Sequence, residues 1–303
     1  MLGGLQAVMD PDEIVAIVNT GDDTELHGLY ISPDLDTITY TLAGAVNPET
    51  GWGLEGETFQ AMAALDRYDG ITWFRLGDAD LATHLYRTGR LREGATLSEV
   101  TGEITRAWGL RLQLMPMSDD PVRTRLRLGG GDEVAFQEYF VKLRHSVAVE
   151  GVRFSGADDA TPAPGVLAAI DTADLVVVAP SNPIVSIGPI LAVPGVADAL
   201  VTRRSSVVAV SPIVGGAALK GPADRLLGEL GGEASASGVA RWLAPWIGTL
   251  VIDDLDAGEA AAVEEAGVHC VTADIVMSTP EITSALARTV LGSRPGASRA
   301  RPG

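Results

Sequence analysis

The sequence predicts an α/β protein, a doubly wound and mostly parallel sheet with a mixed α+β insertion. Two observations predict it. Short apolar, β-branched runs recur along the chain and end abruptly in polar or glycine-containing loops. The segments between several of them carry helix-start and helix-stop residues in the right order. The runs are Ile14 to Val18, Leu175 to Ala179, Val207 to Val210, Leu250 to Ile252 and Val268 to Val271. Continuous apolar character is what a strand needs when helices cover both of its faces, so the sheet reads as parallel and Rossmann-like.

The linking segments support this. Pro222 stands where a helix begins, and Leu226, Leu227 and Leu230 give that helix an apolar stripe. Asp256 and Glu259 have capping-box spacing before an alanine-rich helix that Gly267 ends. Thr279-Pro280-Glu281 opens a final helix with proline at its tolerated first position. Residues 53–150 read differently. Thr96 and Glu99 form another capping box, with Leu97, Val100, Ile104 and Trp108 on one helical face. Asp78 is placed to cap a helix carrying Leu81 and Leu85, and the alternating run Thr124 to Leu128 reads as an edge strand. The expected organisation is therefore an α/β nucleotide-binding core of residues 1–52 and 151–292. A mixed insertion, 53–150, forms one wall of the site, and the Arg/Pro/Gly/Ser-rich segment 293–303 is an expected disordered tail.

Composition narrows the function. Forty acidic against 22 basic residues give a net charge of −18, which argues against duplex nucleic acid or an anionic membrane as partner. Lys142 and Lys220 are the two lysines; the other bases are arginines. The single cysteine, Cys270, excludes an intramolecular disulfide and a paired-cysteine metal site, and it reads as core packing. No apolar run approaches the roughly 20 residues of a membrane helix, and no signal peptide is read at the start, so the cytoplasm is the expected address.

In open α/β sheets ligands bind beyond the carboxyl ends of the strands. Asn19-Thr20-Gly21-Asp22-Asp23 follows the first strand, and Ser32-Pro33-Asp34-Leu35-Asp36-Thr37 comes soon after. Four carboxylates from two neighbouring loops approaching one point need a divalent cation or protons to relieve their repulsion, and oxygen ligands suit magnesium. Spacing alone leaves the alternative open that Asp22 and Asp34 are turn or helix-cap residues. Ser181 to Pro189 follows the Leu175–Ala179 strand, and its small hydroxyls, amide and glycine suit a phosphate or a base, though Ser-Asn-Pro is equally turn chemistry. Ser211 to Gly216 carries the same ambiguity. No nucleophile elbow and no phosphate-loop lysine occurs. His27, His84, His145 and His269 lack metal-ligand spacing, and His84, four residues from Asp80, reads as a structural hydrogen-bonder.

Taken together, several motifs occur in one order: Val18-Asn19-Thr20-Gly21-Asp22-Asp23, Ser32-Pro33-Asp34-Leu35-Asp36-Thr37, Leu76-Gly77-Asp78-Ala79-Asp80 through His84, Met117-Ser118-Asp119-Asp120-Pro121, Ser181-Asn182-Pro183 with Ser186-Ile187-Gly188-Pro189, and Val210-Ser211-Pro212-Ile213. In this the chain resembles the 2-phospho-L-lactate transferase family (phosphoenolpyruvate transferase in actinobacteria) of coenzyme F-420 biosynthesis, from residue 1 to about residue 292. The resemblance implies transfer of a phospholactyl- or phosphoenolpyruvyl-type group from a guanylylated diphosphate donor to the ribityl hydroxyl of the deazaflavin FO, with release of GMP. It implies small-molecule partners, Mg2+ as cofactor, and leaves a homodimer open. Asp22 and Asp36 are then expected to hold the metal and to be the catalytic pair. Asp36 and Arg75 match positions that contact FO, while Ser181, Asn182 and Ser186 to Gly188 face the guanine nucleotide. Met1 to Leu5 align with the helix after the family's first strand and glycine-rich loop, so both are expected to be missing here. The alternative is a regulatory protein of the related fold that binds nucleotide-sugars without turnover; the Thr24-Glu25-Leu26-His27 stretch after Asp23 favours the transferase. A dinucleotide-dependent oxidoreductase lacks its glycine fingerprint.

Overall fold

The computed structural model describes residues 1–219 and 221–293. Lys220 and all but the first residue of the expected 293–303 tail lie outside them. The chain forms two compact units: Pro11–Val166 with Pro189–Pro194, and Met1–Asp10 with Leu167–Gly188 and the residues from Gly195 onward. The divisions read from the sequence stood at 52/53 and 150/151; the units part near residues 10 and 166.

The first unit contains seven strands: β1 (Val15–Val18), β2 (Thr24–Leu26), β3 (Leu29–Ile31), β4 (Gln113–Pro116), β5 (Arg123–Leu128), β6 (Glu133–Ala135) and β7 (Val149–Ser155). β1 and β4 pair in parallel, Val15 opposite Gln113 and Val18 opposite Pro116. β2 and β3 form a tight antiparallel hairpin whose turn, His27-Gly28, has positive φ at both residues (55° and 73°), as a two-residue loop between twisted strands requires. β5 is the central strand of an antiparallel sheet ordered β6-β5-β7, not the edge strand expected. Buried Thr124, Leu126 and Leu128 alternate with arginines. Any strand with one face in water alternates this way, so the pattern does not tell centre from edge.

The Leu97–Ala107 helix starts as expected: Thr96 and Glu99 cap each other's backbone reciprocally, and Leu97, Val100 and Ile104 are buried. Asp78 behaves otherwise. Its carboxylate accepts from Thr58 Oγ1 and from the backbone N–H groups of Gln60 and Ala61, at 2.5, 2.9 and 3.0 Å, and so caps the Gln60–Leu65 helix. Glu57 in turn accepts from the N–H groups of Ala79 and Asp80 (2.8 and 3.0 Å) and caps the Asp80–Arg92 helix. Each helix is capped by a carboxylate lying before the other, a swap that local spacing does not reveal. Leu85, expected on that helix's apolar stripe, is 59% exposed.

The second unit holds β8 (Val176–Val178), β9 (Val207–Val210), β10 (Ile213–Val214), β11 (Ala217–Ala218), β12 (Thr249–Asp253) and β13 (His269–Ala273). Four of them form the parallel sheet β13-β12-β9-β8, in the runs the sequence marks. Val208, Val210 and Val251 of this sheet bury against Ile275, Leu286 and Val290. The Pro280–Gly292 helix opens on Thr279, whose hydroxyl accepts from Ile282 N–H. The Leu2–Val8 helix packs on it so closely that a Cβ on Gly4 would lie 2.5 Å from the Thr283 carbonyl. The capping box expected at Asp256 and Glu259 does not form. Asp253 caps instead, accepting from Leu255 N–H, while Asp256 accepts from Gly215 N–H and Glu259 from Ser237 N–H. Helix Ala223–Glu229 begins directly after Pro222. Among the described residues no single helix is long and apolar enough to cross a membrane.

Candidate functional site

At the carboxyl end of β1 the chain turns through Asn19, Thr20, Gly21 and Asp22, all buried. Asn19 performs the turn chemistry itself, its Oδ1 accepting from Gly21 N–H at 2.7 Å. Its amide nitrogen donates to Asp22 Oδ2 (3.2 Å) and to Asp34 Oδ2 (3.1 Å), tying two carboxylates together. Gln137 donates to the Asp22 carbonyl (3.2 Å), which fixes the loop from the far side. Asp22 Oδ1 is buried and makes no well-formed hydrogen bond among the described residues, though the Thr124 hydroxyl is near enough to the carboxyl to favour its ionised form.

The second acidic segment is the first turn of the Pro33–Leu42 helix. Two positions apart on a helix, Asp34 and Asp36 point to different faces, which is why the four carboxylates do not converge as expected. Asp34 joins Asp22. Asp23 accepts from Ser32 Oγ (2.9 Å), which draws the Ser32 hydroxyl away from capping the helix. Asp36 turns to the Asp80–Arg92 helix, where the buried Arg87 guanidinium donates to both of its oxygens.

Around that ion pair each oxygen of Asp36 and Asp80 has a donor, while Arg87 Nε is buried without a partner among the described residues. His84 Nε2 lies 3.1 Å from Asp80 Oδ2, Tyr40 donates to Asp80 Oδ1 (2.6 Å), and His84 Nδ1 sits 3.4 Å from Arg87 Nη1. Asp36, Asp80 and His84 bring potential ligand atoms within 4.8 Å of one another. A cation there would displace donors from every carboxylate oxygen and sit beside a guanidinium, so the donor set suits a buried ion-pair network better than a metal. Asp22 with Asp34 fits a hard divalent cation better. The pair is oxygen-only, with Asp22 buried and Asp34 half-buried, and it has a carboxylate oxygen without a hydrogen bond among the described residues.

Electrostatics point the same way. Burial raises the Asp22 carboxyl well above the usual range, and the Asp34 and Asp23 charges add to it. Burial pushes Asp34 up to about 6 and Asp23 to about 7, the latter against the pull of Arg123. Carboxylates in this state bind either protons or a cation.

Arg75 is exposed, its guanidinium 4.0 Å above the Phe59 ring centroid. In the second unit, Asn182 follows β8. Its Oδ1 accepts from Ile184 and Val185 N–H (2.9 and 3.3 Å), so the first N–H groups of the Pro183–Ile187 π-turn are taken. Asn182 Nδ2 is left buried without a partner among the described residues. Ser181 and Ser186 are half-buried and Gly188 is buried. The Ser211 loop is closed on itself, with Ser211 Oγ accepting from Ile213 N–H and donating to the Ile213 carbonyl. The sequence reading missed Asn19 and Arg87. Asn19 stands directly after a strand, and Arg87 lies at helical spacing from His84, so both signals were there to use.

The chain matches the profile of the 2-phospho-L-lactate transferase CofD family over residues 1–290. The chain belongs to the 2-phospho-L-lactate transferase family. Members named phosphoenolpyruvate transferase are 46% identical in Kitasatospora aureofaciens (96% of this chain, 92% of that one) and 45% in Streptomyces griseus (96% and 93%). The one from Mycolicibacterium smegmatis is 41% identical (92% and 87%). Membership in the 2-phospho-L-lactate transferase family gives the coarse assignment, a transferase of coenzyme F-420 biosynthesis. A solved UPF0052-family structure from Bacillus halodurans shares the fold, with a TM-score of 0.61 at 16% identity, covering 96% of this chain and 94% of that one.

Proposed function

We propose that this chain transfers a phosphoenolpyruvyl- or phospholactyl-type group from a guanylylated diphosphate donor to the ribityl hydroxyl of the deazaflavin FO, releasing GMP. The observation that carries the reading is the Asp22–Asn19–Asp34 cluster: a buried and a half-buried carboxylate bridged by one amide, in a chain of this family. In the reaction the acceptor hydroxyl oxygen bonds to the phosphorus bearing the three-carbon acid and loses its proton to solvent, and the bond from that phosphorus to the GMP oxygen breaks, that oxygen leaving on GMP. No covalent protein nucleophile is required; position and charge neutralisation are.

Asp22 and Asp34 would hold Mg2+, which when bound supplies positive charge to the diphosphate. Asn19 orients both carboxylates by donating to one oxygen of each. Arg87 takes Asp36 out of the metal set and locks the start of the Pro33–Leu42 helix, and so the position of Asp34, to the Asp80–Arg92 helix. Arg75, parked on Phe59, is the contact expected for FO. The unpaired amide of Asn182 is a donor for the guanine carbonyl. The relatives' name, phosphoenolpyruvate transferase, favours the enolpyruvyl donor.

Mass spectrometry of products from FO with each guanylylated donor, lactyl and enolpyruvyl, tests the reading. A new phosphodiester of FO together with GMP is expected. Donor consumed with no FO adduct, or no turnover with either donor in the presence of Mg2+, would overturn it and favour the binding-only alternative.

A further inference from the structure

β5 reads Arg-Thr-Arg-Leu-Arg-Leu, and its alternation places Arg123, Arg125 and Arg127 on the face opposite buried Thr124, Leu126 and Leu128. The register adds a fourth base, because Arg125 stands directly opposite Arg153 of β7. Like charges facing across an antiparallel pair are destabilising. Two acids relieve part of this face. Glu133 takes Arg153 in a two-point contact (2.7 and 2.6 Å), and Glu150 lies 4.0 Å from Arg127. Arg123 donates to the Val122 carbonyl (2.8 Å) and to the Tyr30 hydroxyl (3.1 Å). Half-buried Arg125 has no hydrogen bond or ion pair among the described residues; its charge acts on Glu133, whose carboxyl the Arg153 contact and both guanidiniums hold low. In a chain of net charge −18, one sheet face thus gathers four guanidiniums against Glu133 and Glu150, with Asp23 also acting on Arg123, and leaves Arg125 without a hydrogen bond or ion pair among the described residues.

We propose that this face is an oxyanion site, in which Arg125, with Arg123 and Arg153 beside it, binds a phosphate-type dianion. Same-face neighbours on a strand lie about 7 Å apart, close enough for long arginines to converge on one tetrahedral anion. The planar guanidinium matches two phosphate oxygens at once, and bound phosphate would cancel the repulsion that Arg125 and Arg153 otherwise carry. Ser155, opposite Arg123, offers a hydroxyl on the same face. Free phosphate and the phosphate of a nucleotide substrate present the same chemistry. The site stands on the sheet geometry alone and is independent of the transferase reading.

The test is calorimetric titration of inorganic phosphate, and separately of GDP, into the full chain at low salt, for the parent, Arg125→Gln and Arg127→Gln. Melting of each without phosphate is measured alongside. Arg125→Gln is expected to weaken phosphate binding at least about tenfold, as loss of a charge-assisted bidentate contact implies, while melting at or above the parent temperature. Arg127→Gln, already served by Glu150, should stay within about threefold, since only a screened charge is lost. If Arg125→Gln weakens GDP as well, a nucleotide phosphate occupies the site; if GDP is unaffected, free phosphate does. Unchanged phosphate affinity in Arg125→Gln, no phosphate binding by the parent, or a lowered melting temperature with intact binding would each overturn the proposal.

Discussion

Replacing Asp34 with asparagine should stabilise the metal-free protein, and by an amount that depends on pH. Burial pushes the Asp34 carboxyl from 3.8 up to about 6. One pH unit corresponds to 1.36 kcal/mol, so keeping Asp34 ionised in the fold costs about 3 kcal/mol. The folded value lies above the unfolded one. Below about pH 4 both states are protonated and the carboxyl costs nothing; stability then falls as pH rises from about 4 to about 6, and the loss persists above. Asparagine has no such transition, and its amide oxygen can still accept from Asn19. At pH 8 with a chelator present, Asp34→Asn should melt higher by about 6–12 °C, at roughly 2–4 °C per kcal/mol for domains of this size. At pH 4 the two proteins should nearly coincide. Thermal melting at both pH values decides it. A lower melting temperature for Asp34→Asn at pH 8, or the same offset at both pH values, would refute the reasoning.

Other substitutions test other parts of the account. Arg87→Met strands the buried Asp36 charge and should cost about 3–5 kcal/mol in urea unfolding at pH 7; a near-neutral result would show that Asp36 finds water or another partner. Gly21→Ala brings a Cβ to 2.6 Å from Thr124 Oγ1 and 2.9 Å from Asn19 Oδ1, so it should displace the Asn19 bridge and cost about 1–3 kcal/mol together with turnover. Asp78→Asn should speed amide exchange at the start of the Gln60–Leu65 helix, not at that of Asp80–Arg92; exchange rising at the latter instead would contradict the swapped caps.

The parallel sheet was legible because its signal is local: Val207 to Val210 is apolar at every position whatever its neighbours are. The caps at Thr96 and Thr279 were legible for the same reason, since partner and cap lie within one turn. What failed was pairing across the chain. Asp78 and Glu57 exchange helices, Asp256 spends its carboxylate on Gly215 forty-one residues earlier, and β5 gains partners on both sides. The acidic loops were found as a set, but not their division. That Asp34 begins a helix decides the division, since helical rotation sends Asp36 to Arg87 and leaves Asp34 with Asp22.

The central claim is that Asp22 and Asp34, joined through Asn19, hold the divalent ion. Mn2+ titration followed by electron paramagnetic resonance addresses it without relying on turnover. The metal-stripped parent should bind Mn2+ at pH 8; Asp22→Asn and Asp34→Asn should each lose at least about tenfold in affinity, and Asp80→Asn should bind as the parent does. Loss of Mn2+ binding in Asp80→Asn, with binding retained in Asp22→Asn and Asp34→Asn, would place the ion in the Asp36–Asp80–His84 network and contradict the account.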